Sequence, residues 1–257
     1  MKMGLIALEA TPPYEENENL HHQPKHRSIT NHVTVFLAWA VLFGARPSSA
    51  SPVAPASPDP ESRVSAALAG IERGLRSTKY THRAKIDREK GVYEWDCSIM
   101  TAWILERAAP AARKALATDK PLARDFFRVI AAAGTNQPRN GWQRVDGPAS
   151  VAPGDVFAWL KPAIFKDRAN TGHVGFVMSK PWPHPRLPSV WLVRIADSTR
   201  ELHGDDSRPV GGEGGFGTAT IGFYFDDGTP IAYGWYGEPQ EPDTYVPTKI
   251  VFGRAVR

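Results

Sequence analysis

The chain changes its apolar period midway, and this limits its fold more than any other feature. Before residue 135, apolar residues recur at helical spacing. After residue 150 they fall in short blocks separated by turn residues: 155–160 (DVFAWL), 172–179 (GHVGFVMS), 190–196 (VWLVRIA), 219–225 (ATIGFYF), 231–236 (IAYGWY) and a last block from Lys249 to Val256. Such blocks are too short for helices and read as strands. Asp226-Asp227-Gly228-Thr229-Pro230 predicts a hairpin between two of them. Short connections join strands as antiparallel neighbours. Helices first and strands later predict an α+β domain with a mainly antiparallel sheet. No internal repeat and no second folded domain are evident.

The helical half contains three predicted helices. Val64, Ala67, Leu68, Ile71 and Leu75 lie at helical spacing after Ser62, a capping residue type. A second helix is expected from Asp96 to Ala109, where Pro110 stops it, with Cys97, Thr101, Ile104 and Ala108 on one face. A third is expected from Pro121 to Ala133, with Pro121 at the first helical position and Gly134 at the stop. Residues 77–95 are polar and lack a period, which predicts a loop.

The first 50 residues read as an N-terminal extension with a signal peptide. Lys25 and Arg27 precede an apolar run at 33–44 (VTVFLAWAVLFG), and Ser48-Ser49-Ala50 follows as a small-residue exit. The run is shorter than the roughly 20 residues a bilayer span needs. Cleavage near Ala50 would leave no stable span and a secreted or periplasmic protein; the alternative is an anchor formed by residues 33–44. Residues 51–61 read as a Pro/Ser/Ala-rich linker, and 62–257 as the folded domain. The 42% apolar fraction is enough for one core. A net charge of +4 is too mild to mark a nucleic-acid surface, and no nucleic-acid partner is expected. The oligomeric state is not encoded in any pattern seen here.

Cys97 is the single cysteine, so an intramolecular disulfide and a multi-cysteine zinc site are both impossible. A lone thiol is a liability outside the cell, which favours a used thiol over an idle one. Its position at a predicted helix start places it near unpaired N–H groups and the positive end of the dipole. Both stabilise a thiolate, the nucleophilic form. The alternative is a small buried apolar residue.

His173 opens an apolar strand after Gly172, and Asp197 ends the next predicted strand. If those strands are antiparallel neighbours, the start of one lies beside the end of the other. A carboxylate then meets an imidazole at one edge of the sheet. The order Cys97, His173, Asp197 thus predicts a nucleophile, a base and an orienting group. Asp-Ser-Thr at 197–199 is also good turn chemistry. The segment Gly211 to Gly217 suggests close approach to a substrate or a mobile flap, and His203, just before it, is expected on the substrate side. His203 with Asp205 and Asp206 is a poor metal set, because one histidine among loop carboxylates is usually solvated; no metal and no cofactor are expected. Trp142, Trp159, Trp182, Trp191 and Trp235 suit core packing better than a sugar groove.

Asp96-Cys97-Ser98, Pro153-Gly154-Asp155-Val156 and Gly172-His173-Val174-Gly175-Phe176 resemble the marks of the NlpC-type papain-like superfamily, over about residues 80–200. Its members include bacterial cell-wall endopeptidases and amidases. The resemblance implies a papain-like domain, a Cys97–His173–Asp197 triad and a peptide or peptidoglycan-like substrate. It also implies that Asp96 and Ser98 help bind a substrate amine, with an upstream tyrosine, Tyr80 or Tyr93, at the site. Ile99 departs from the pattern, where the family usually has glycine. Two enzyme alternatives share the Cys, His, Asp order: a transglutaminase-like fold and an acyltransferase. A non-catalytic wall-binding module is the third alternative, and it requires Cys97 to be buried and far from His173.

Overall fold

The computed structural model describes residues 59–167, 169–235 and 245–257. The predicted signal segment and most of the linker lie outside these residues. The chain divides into two units, Met1–Val53 and Ala54–Arg257, and every described residue belongs to the second.

Helix α1 (Pro60–Gly74) starts earlier than the sequence suggests. Its cap is Asp59, whose side chain accepts from the Ser62 N–H, and not Ser62 itself. The folded domain therefore takes in the last linker residues. Val64, Leu68 and Ile71 face inward, as their spacing predicts. Residues 77–95 are not a loop. They form β1 (Ser77–Tyr80), β2 (Lys85–Asp87) and β3 (Val92–Trp95), a small sheet with β3 in the centre, parallel to β1 and antiparallel to β2. These strands carry mostly polar side chains because much of their surface meets solvent; only Tyr93 and Trp95 alternate into the core.

Helix α2 (Cys97–Ala108) follows directly, capped by Asp96, and short α3 (Pro110–Lys114) follows the predicted break. Helix α4 spans Ala123–Ala131, so Pro121 lies before it. The Asp125 carboxylate accepts from the Leu122 N–H at 2.9 Å, which sets the first turn after Leu122.

The second half forms one antiparallel sheet: β4 (Trp142–Val145), β5 (Val156–Leu160), β6 (Gly172–Val177), β7 (Trp182–Pro183), β8 (Val190–Thr199), β9 (Gly215–Asp226), β10 (Thr229–Trp235), β11 (Val246–Pro247) and β12 (Ile250–Ala255). The order is β11-β10-β9-β8-β6-β5-β12-β4, with β7 paired to β8. The molecule is thus α+β with a mainly antiparallel sheet. The hairpin between β9 and β10 turns at Asp227 and Gly228, both at positive φ.

One sheet face packs on the helices. Val156, Ala158, Val174, Phe176 and Ala196 join Trp95, Met100, Leu105, Phe126 and Trp142 in that core. On the other face Phe157, Trp159, Ile195, Phe223 and Phe252 form a second core. There the sheet curls: Trp159 of β5 stacks on Tyr233 of β10 at 4.1 Å between ring centres, although three strands separate β5 from β10 in the sheet order. Trp142 and Trp159 are buried packing residues, whereas Trp182 is exposed.

The Pro153-Gly154-Asp155 turn is anchored. Asp155 is fully buried and accepts a bidentate pair from Arg254 at 2.8 and 2.9 Å, and its carboxylate also accepts from the Ala152 N–H. Burial makes it a weaker acid than an ordinary carboxyl, raising its pKa even against the pull of Arg254.

Candidate active site

Cys97 occupies the first position of α2. Asp96 caps the helix, accepting from the Ile99 N–H at 2.8 Å through Oδ1. Its other oxygen, Oδ2, lies 2.9 Å from Nδ1 of His82, an exposed ring that the sequence did not single out. Both oxygens of Asp96 are therefore engaged within the protein. Ser98 is buried, its hydroxyl 3.8 Å from the Cys97 sulfur. Ile99 packs on the helix-side core, which accounts for a bulky residue next to the cysteine. Cys97 itself is nearly buried, with 7% of its surface exposed.

The turn before β6 is tight. Gly172 has φ +127°, and a side chain there would collide with the Trp159 carbonyl. That close approach holds His173 against β5, where its ring packs 4.9 Å from the Trp159 ring. The β6–β8 pairing runs through Phe176 opposite Ala196. Counted on, Asp197 is level with Gly175, and His173 lies diagonally across on the same face. His173 Nε2 is 2.8 Å from Asp197 Oδ2. The strand β8 continues to Thr199, so Asp197 sits within a strand and not at a turn. Ser198 points to the other face, where its hydroxyl donates to the Trp95 carbonyl at 2.9 Å and ties β8 to the residue before the Asp96 cap.

The Cys97 side chain lies close enough to the same imidazole for its negative charge to act on it. Since Asp197 occupies Nε2, the nitrogen left for sulfur is Nδ1. Burial opposes a positive charge on His173, but the Cys97 thiolate and the Asp197 carboxylate outweigh it and raise the imidazolium to about 10. Cys97, His173 and Asp197 are thus brought together.

Asp197 is held from further sides. His203 Nε2 lies 3.0 Å from Oδ2, the oxygen that also meets His173. Arg208 Nη1 forms an ion pair with Oδ1 at 3.0 Å, without hydrogen-bond alignment. Burial works against the Asp197 charge, yet His203 and His173 hold its carboxyl well below the usual range. Arg208 also binds Asp206 through two nitrogens and donates to the Gly215 carbonyl at 2.8 Å.

These contacts correct the expectation for His203. Its side chain is fully buried behind Asp197 and is not on a substrate-facing loop. The Gly-rich segment is corrected as well. Residues 215–217 belong to β9, and the group that approaches closely is the protein's own: a side chain on Gly217 would meet Arg208 at 2.5 Å. Asp205 is satisfied by Thr220 and Arg194, and Asp206 by Arg208 and the His203 N–H. Among the described residues, no group of three or more His, Cys, Asp or Glu is arranged for a metal ion.

The two tyrosines separate. Tyr93 is a core residue packed on Trp95 and Trp103. Tyr80 lies beside the cysteine. Burial and the negative charges of Cys97 and Asp96 push its phenol well above its ordinary value, so it remains a neutral donor. The Arg200 guanidinium sits 5.7 Å over its ring.

No family model matches the chain, and no solved structure matches it. The chain is similar to an uncharacterised protein of Acanthamoeba polyphaga mimivirus, at 27% identity over 54% of this chain and 67% of that protein.

Proposed function

We propose that the protein is an exported cysteine hydrolase of NlpC-like, papain-like type that cleaves a peptide or amide bond, with peptidoglycan stem peptides as the substrate class. One observation carries this reading: the lone thiol, at the first position of a helix, lies within electrostatic reach of an imidazole whose Nε2 meets a buried carboxylate at 2.8 Å. The wall-binding alternative requires Cys97 to be remote from His173, and their interaction weighs against it. Substrate class and export rest on the sequence resemblance and on residues 25–50.

In the proposed mechanism, His173 Nδ1 takes the Cys97 proton, and the thiolate attacks the amide carbonyl. The Cys97 backbone N–H, unpaired at the helix start, supports the oxyanion. The imidazolium returns its proton to the leaving amine as the C–N bond breaks. Water, deprotonated by the same nitrogen, then attacks the thioester and frees the acid and the thiol. The steps draw on side chains and water and require no cofactor. Tyr80 stands beside the sulfur as a neutral phenol.

The test is incubation of the protein with purified peptidoglycan and with a panel of peptide amides, followed by mass spectrometry of newly freed amines. Wild type should release product, iodoacetamide should stop it, and Cys97→Ser should be folded and inactive. Equal turnover by Cys97→Ala would reject the proposal.

A further inference from the structure

Two imidazoles meet one oxygen of Asp197: His173 at 2.8 Å and His203 at 3.0 Å, each through Nε2. The first faces Cys97. The second does not reach it, and its side chain is fully buried. His203 stacks on Trp235 of β10 at 4.0 Å and 15°, a neutral ring that fixes its plane. Its backbone N–H donates to Asp206 at 2.9 Å. Its Nδ1 is buried and has no hydrogen-bond partner among the described residues.

The orphan nitrogen decides the tautomer. Nε2 must carry a proton to bond a carboxylate. A second proton, on Nδ1, would leave a buried N–H unpaired, which costs far more than a bare lone pair there. We infer that His203 is a positioning residue: as a neutral Nε2–H tautomer it donates to Asp197 Oδ2 and, with Arg208 on Oδ1, fixes the carboxylate that orients His173 toward Cys97. This rests on the reading of Cys97 and His173 as the reacting pair.

The charged and titratable groups around His203 are few. Asp197 faces it from β8, with His173 of β6 across the shared oxygen. Asp206 and Arg208 face it from the segment before β9, and they pair with each other at 2.6 Å. A carboxylate held only by His173 and Arg208 could rotate about its side-chain bonds and carry the His173 ring with it. The imidazole of His203, wedged by Trp235, removes that freedom. The residue therefore acts through Asp197 on the geometry of the thiolate–imidazolium pair.

The experiment measures the rate of Cys97 alkylation by iodoacetamide against pH in the full chain, and needs no substrate. In wild type the rate near pH 6 should fall by about tenfold or more on His173→Ala. A wild-type rate unchanged by His173→Ala would overturn the reacting pair, and with it the function proposed above. With that pair intact, His203→Leu should slow alkylation near pH 6 by about tenfold, since a hydrogen bond to a charged group is lost. His203→Gln, which can donate from nearly the same place, should recover most of that loss. A His203→Leu profile that superimposes on wild type, or a His203→Gln variant no better than His203→Leu, overturns the inference alone. If either variant fails to fold, the wild-type protein still decides the matter. Nitrogen-15 NMR at neutral pH should show a proton on His203 Nε2, and an Nδ1–H tautomer sinks the proposal.

Discussion

Asp197 has two oxygens and three partners, and this changes what its removal should do. Asp197→Ala would leave Arg208 without one of its two buried counter-charges and leave two histidine N–H groups unpaired. We expect about 3–5 kcal/mol of lost stability, read by urea denaturation, alongside loss of activity. Asp197→Asn keeps one carbonyl oxygen for His173 but turns an amide N–H₂ toward either Arg208 or the histidines. It should be milder in kcat/KM than alanine and still well below wild type. Cys97→Ala tests the other side of the ring. Removing the thiolate takes away a main support for the imidazolium, so His173 should titrate below the value of about 10 it has beside the thiolate, as followed by NMR. Sequence reasoning singled out Cys97 at a helix start, His173 at a strand start and Asp197 at an expected strand end, although β8 runs on to Thr199. It missed Arg208 and misplaced His203. Both sit in irregular chain, where no period says which way a side chain turns.

The elements that position the site are held by contacts distant in sequence. Arg254 on β12 closes over Asp155 at the start of β5, 99 residues away. Arg254→Leu should strand a fully buried carboxylate and cost about 3–5 kcal/mol by chemical denaturation. A loss below about 1 kcal/mol would mean that water takes over from Arg254. The turn before β6 is similarly unforgiving. Gly172→Ala would combine an unfavourable φ with a collision at the Trp159 carbonyl, and relief requires moving the strand start that carries His173. We expect about 1–3 kcal/mol of destabilisation together with slowed Cys97 alkylation; unchanged alkylation would show that His173 is placed by Asp197 alone. The strands of the larger sheet were legible because their buried blocks are continuous. The short strands β1 to β3 were not, since their polar, half-exposed side chains carry no apolar period. Strand β4 also escaped notice, because it is a sheet edge whose place depends on β12.

At the scale of the whole molecule, the site makes stability depend on pH with a definite sign. His173 has a folded value of about 10 against an ordinary 6.5, so its contribution is complete below about 6.5 and disappears as pH rises through about 10. Asp197 is shifted the other way: its contribution is complete above the ordinary 3.8 and disappears as pH falls through its lowered value. Unfolding free energy from urea titrations should therefore be highest from about pH 4 to about pH 6.5. In Cys97→Ala the alkaline decline should begin at lower pH, and an unchanged alkaline limb would show that His173 is not its source. The sequence by itself determined the main helices, the long strands of the larger sheet, the α+β order, the hairpin between β9 and β10 and the placing of a thiol at a helix start, because period and capping are properties of neighbouring residues. Only the tertiary structure decided that the sheet curls until β5 meets β10, that β12 enters between β5 and β4, and that His203 and Arg208 close on Asp197. Those outcomes depend on register and curvature summed over many strands, and a carboxylate's choice among several donors is made only when the chain has brought them within about 3 Å.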